Sequence, residues 1–117
     1  MALERLTPRE RFLLGQCLLA AAGGPFFDDD DGFDTIFGVS LEKVTEIAHA
    51  WPHVDDNEEV VELAINNAAS NLLGYPHGRM KAWPKFISAP PEEIGRVLGK
   101  WRRLKGWDDP ERQHLLL

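Results

Sequence analysis

The chain has 117 residues, a formal net charge of −6 and one cysteine. That length suits a single domain with its own hydrophobic core, needing neither disulfides nor a structural metal to fold. Cys17 has no partner for an internal disulfide and lies in the apolar run LLGQCLLAAA, which predicts a buried, inert thiol. The longest unbroken apolar stretch, Cys17 to Ala22, is far short of a bilayer span, and no secretory pattern follows the mixed-charge start MALERLTPRERF; the expected location is cytoplasmic.

Charge is divided along the chain. Between Asp28 and Glu62 twelve acidic residues stand against Lys43 alone, whereas between Arg79 and Lys105 eight basic residues stand against Glu92 and Glu93. Such a division can pair internally, pair between copies or serve a charged partner.

Four principal helices are predicted, giving an all-α fold in one domain over residues 1–117. The first opens at TPRE, with Thr7 as cap, Pro8 in the first turn and Glu10 completing a capping box, and it runs to Ala22 before Gly23 and Gly24. Phe12, Leu13, Leu14, Leu18 and Leu19 point nearly all round it, as in a central helix or a dimer contact. An acidic loop follows, FFDDDDGFDTIFG, in which Phe26, Phe27, Phe33 and Phe37 anchor the chain while the aspartates stay in water.

The second helix begins after Ser40 with Val39 and Val44 as a hydrophobic staple, buries Leu41, Val44, Ile47, Ala48 and Trp51, and ends at Pro52. Asp55 or Asp56 is expected to cap the third, whose apolar face is Val60, Val61, Ala64, Ile65, Ala68, Leu72 and Leu73. From Gly74 to Pro91 four prolines predict an irregular segment, with KFIS as a short extended piece. The last helix runs from PPEE to Lys105 with Ile94, Val97, Leu98, Trp101 and Leu104 inward, and the tail from residue 108 is expected to fray.

Several patterns touch on metal chemistry without completing it. Placing Gly32 at the sixth position of an EF-hand loop puts Phe27 and Gly38 where carboxylates are obligatory, so only Asp29 and Asp31 are suitably spaced. Two E-x-x-H pairs, Glu46 with His49 and Glu111 with His114, together with Glu10 and Glu62 match the residue types of a di-iron bundle, but Glu46 falls away from its helix's apolar face. His49 and His53, beside Asp55 and Asp56, are separated by Pro52, which removes the one-turn geometry of a zinc pair. No metal or cofactor is therefore expected, and no serine or cysteine stands in a nucleophile motif.

Three surfaces remain as candidates. Asp28, Asp29, Asp30, Asp31, Asp34, Asp55 and Asp56 form a partner surface for a basic protein, in the manner of an inhibitor or immunity-like module, or for the basic stripe of a second copy. Arg96, Lys100 and Arg103, at helical spacing, form that stripe, which with nearby tryptophans also fits nucleic acid, against the repulsion of an acidic chain. Asn67 and Asn71 are expected to fasten the YPHGRMKAWP segment, or else to line a ligand pocket with His77 and Arg79. The leading expectation is a protein–protein interaction module, not an enzyme. The alternatives are a small-ligand or metal enzyme using His49, His53 and His77, and nucleic-acid binding through the stripe.

Overall fold

The computed structural model describes residues 1–27 and 32–107; Asp28 to Asp31, the tail and the pair Glu111 and His114 lie outside the described residues. The described residues form an all-α fold of six helices: α1 Pro8–Gly23, α2 Gly32–Phe37, α3 Leu41–Ala50, α4 Glu59–Gly74, α5 Trp83–Phe86 and α6 Pro91–Leu104. Short 3-10 turns at Ala2–Arg5 and Met80–Ala82 precede α1 and α5.

Helices α1 and α3 begin where their capping chemistry dictates. Thr7 accepts from the Glu10 N–H and Glu10 accepts from the Thr7 N–H, so the capping box of α1 is complete. Ser40 accepts from the Lys43 N–H at the start of α3, and Val39 and Val44 are both buried beside it. α1 packs against α3, α4, α5 and α6, so its apolar girth has a structural use. Leu13, Leu14 and Leu18 are fully buried with Ile65 and Leu72 of α4 and Ile94, Val97 and Trp101 of α6. Phe12 and Leu19 stay outside.

Gly15 shows how close α3 comes. A Cβ there would stand 2.5 Å from the Trp51 ring, whose indole N–H donates to the Arg11 carbonyl at 3.0 Å. Only a residue without a side chain lets the ring sit on the α1 backbone.

Three local expectations need correction. The segment after α1 is not wholly a loop, because Phe33 and Phe37, four residues apart, both bury and stack at 4.2 Å, which winds Gly32–Phe37 into α2. Gly38, at φ +65°, then turns the chain out of the helix. KFIS is not an extended piece either: Trp83–Phe86 is helical, with Pro84 in the first turn where its missing N–H does no harm, and only Ile87 is extended. Finally, neither Asp55 nor Asp56 caps α4; Glu58 takes the cap position without a side-chain bond, because both aspartates are engaged elsewhere.

Candidate functional site

The acidic residues divide into surface and interior. Asp34 is exposed on α2, and Asp55 is exposed with its carboxylate accepting from the Asn57 N–H at 2.9 Å. Asp56 does not belong to a partner surface: its exposure is 0%. Its Oδ2 accepts from the Leu3 N–H and from the Trp101 indole N–H, both at 3.0 Å. Lys105 Nζ lies 3.9 Å from Oδ1, donates to the Asp56 carbonyl, and reaches Glu62 at 3.2 Å. One carboxylate thus ties the N-terminal turn, the connection before α4 and the end of α6. Burial of a charge requires such partners, and here they come from residues 45 to 53 positions away.

Four of the surface carboxylates gather around a cleft. Between the N-terminal turn, the outer side of α3 and the start of α4 lies a depression of about 670 Å³ with Leu3, Ile47, Val54 and Val61 in its lining. Glu4, Glu46, Asp55 and Glu58 also line it, against Arg11 and Lys43. Lys43 is already paired with Glu46 at 3.4 Å. The acidic charge therefore surrounds apolar surface, a combination that sequence position alone did not reveal.

The basic stripe is largely committed within the molecule. Lys100 donates to Glu10 at 2.8 Å, and Arg96 reaches Glu10 at 3.5 Å and Glu93 at 3.7 Å. The Lys100 ammonium, with the Thr7 N–H, holds the Glu10 carboxyl well below its ordinary value, down to about 2. Arg9 adds a two-pronged contact to Glu93. Arg103 is exposed and makes no ion pair among the described residues. Trp101 faces inward and is fully buried, so it offers no face for a base to stack upon.

The amides and His77 serve different places. Asn67 Nδ2 donates to the Phe37 carbonyl, and Asn71 Nδ2 donates to the Asn67 carbonyl at 2.8 Å and approaches that of Ile36 at 3.4 Å. They fasten the C-terminal end of α2, not the YPHGRMKAWP segment as expected. Carbonyls at a helix end need donors, and α4 runs beside them. The YPHGRMKAWP segment is held instead by His77, whose Nδ1 accepts from the Arg79 N–H and whose Nε2–H donates to the Leu72 carbonyl, each at 3.0 Å. These two bonds define the Nε2–H tautomer and occupy both ring nitrogens. Phe26 meets the same ring edge-on at 5.0 Å. His77 and Arg79 line a cavity of about 420 Å³ with Phe26, Phe27, Phe33 and Tyr75, but Asn67 and Asn71 do not.

His49 and His53 are both exposed, and among the described residues no three His, Cys, Asp or Glu side chains converge as metal ligands would. Glu46 is exposed too, as its place on the helix predicted. Cys17 is buried in α1, and burial pushes its thiol up to about 12, which removes it as a nucleophile at neutral pH. Among the described residues no helix is long and apolar enough to cross a membrane. The chain matches no family model, no curated protein and no solved structure.

Proposed function

We propose that the protein is an interaction module, an inhibitor or regulatory subunit, whose acidic cleft receives a basic segment of a protein partner. The observation that carries this reading is the cleft itself: Glu4, Glu46, Asp55 and Glu58 around Leu3, Ile47, Val54 and Val61. Lysine and arginine carry an apolar stem under a charged head, so such a side chain matches a floor and a rim of this kind together. The net charge of −6 adds long-range attraction for a basic partner. The reading as a His-based enzyme has less support, since His77 spends both nitrogens on the backbone. Nucleic-acid binding meets the same difficulty, since Glu10 occupies Arg96 and Lys100.

The test uses a short peptide of alternating lysine and leucine, with a glutamate–leucine peptide of equal length as control. Amide chemical shifts are followed during titration at low and at high salt. Shifts confined to Leu3, Glu4, Glu46 and residues 53–58, abolished by salt and by the double substitution Asp55→Lys, Glu58→Lys, support the cleft. Shifts on α6, or an equal response to the acidic peptide, would refute it.

A further inference from the structure

Among the described residues nothing covers the outward side of α1, and its pattern matches a second copy of itself. Phe12 and Leu19 are the most exposed large hydrophobic residues among those described, at 56% and 50%. Seven positions apart, they lie about 10.5 Å apart along the axis and roughly 20° apart around it. They edge an apolar groove of about 490 Å³ with Gly15, Ala48 and Trp51 in its lining. Exposed Pro8 and Gly23 continue the stripe at its two ends.

We propose that this stripe is a self-association surface, on which α1 of one copy packs antiparallel against α1 of another about a two-fold axis between Gly15 and Gln16. In that register Phe12 meets the partner's Leu19, and Pro8 meets the partner's Gly23. Large faces large in the middle, and at each end a ring meets a residue without a side chain. An added Cβ at Gly23 would touch nothing within 4 Å among the described residues, which leaves room for the incoming proline. A parallel pair would instead set Phe12 on Phe12 and Pro8 on Pro8.

Charge selects the same arrangement. The first turns of α1 carry Arg9, already paired with Glu93, and Arg11, while Glu10 is buried under Lys100 and cannot offset Arg11 outward. The last turn holds no basic residue to balance its carbonyl end. Antiparallel packing lays the arginine-bearing end over the partner's carbonyl end, whereas parallel packing opposes arginine to arginine. Closed two-fold pairing of this kind uses one surface patch twice.

Sedimentation of the full chain over a wide concentration range tests the association. The expected mass rises towards twice the monomer's 13.2 kDa, and Leu19→Glu and Phe12→Glu hold it at one monomer. Both sites are exposed, so helicity and melting temperature of the monomeric variants should match the parent at low concentration. Register is read from two further variants, Phe12→Cys and Leu19→Cys, oxidised separately and as a mixture. The mixed disulfide should exceed either homodisulfide several-fold, with Cys17 buried and silent. A monomer at every concentration, a dimer that survives Leu19→Glu, or a mixed disulfide no more than about twice either homodisulfide, as random pairing of equimolar variants gives, would overturn the proposal.

Discussion

Asp56 and Trp101 meet in the interior through a 3.0 Å hydrogen bond from the indole N–H to Oδ2, and the same oxygen holds the Leu3 N–H. Two buried donors from opposite ends of the described chain thus depend on one acceptor. Asp56→Ala would orphan both, and an unsatisfied buried donor costs about 1–3 kcal/mol, so the expected loss is about 2–6 kcal/mol. Asp56→Asn keeps an acceptor but gives up the charge opposite Lys105, for a loss of roughly 1–2 kcal/mol. Urea unfolding followed by tryptophan fluorescence measures both. Equal losses for the two variants would mean that the charge opposite Lys105, which both give up, and not the acceptor sets the effect.

Gly15 and Gly74 are both helical glycines, and they should respond to alanine in opposite directions. At Gly15 the new methyl would stand 2.5 Å from a Trp51 ring that is fixed by its bond to Arg11. The helix gains about 1 kcal/mol from alanine, but overpacking costs about 1–3 kcal/mol, so Gly15→Ala should be net destabilising and shift the tryptophan emission. At Gly74 an added Cβ would meet nothing within 4 Å among the described residues, and Gly74→Ala should raise stability by about 0.4–1 kcal/mol. A stabilised Gly15→Ala would show that the ring moves freely.

The helical plan was legible because it is local. The capping box at Thr7 and Glu10, the Ser40 cap and the Ile94 to Trp101 face each follow from spacings within a few residues. What escaped depends on distant neighbours. Asp56 stands between the acidic Asp55 and Glu58 and reads as surface until Leu3, Trp101 and Lys105 arrive from far along the chain. Likewise Arg96 and Lys100 read as a free stripe because Glu10 is 86 and 90 positions away. The Asn67 and Asn71 signal was real, an unfavourable residue type kept twice on one helix edge, but its target was the short helix that the aspartate run concealed.

Acid should expose the Glu10 contact. Its carboxyl is held near 2 against an ordinary 4.5, so the stabilisation is complete above about pH 4.5 and is lost as pH falls towards 2. Glu10→Gln preserves the capping box, which accepts glutamine, and removes only the charge. Because Lys100 is partly in solvent, the ion pair contributes on the order of 1 kcal/mol. Melting temperatures of parent and variant should differ at pH 7 and converge near pH 2. A gap that is constant with pH would place the effect in packing.

α2 is too short to hold itself, since an isolated helix of six residues does not overcome its nucleation cost. It is kept by Phe33 and Phe37 beneath and by the amide of Asn67 on the Phe37 carbonyl. Asn67→Ala should therefore lower global stability by about 1 kcal/mol and, more specifically, speed hydrogen exchange of the Gly38 N–H, which donates to Asp34 at 2.8 Å. Asn71→Ala removes a 2.8 Å bond to the Asn67 carbonyl within α4 and, from α2, only the longer 3.4 Å contact to Ile36, so it should disturb α2 less. Exchange in α6 serves as the reference for global opening. If Asn71→Ala loosens residues 33–38 more than Asn67→Ala does, the Asn71 amide, and not the Asn67 amide on Phe37, is what secures this helix.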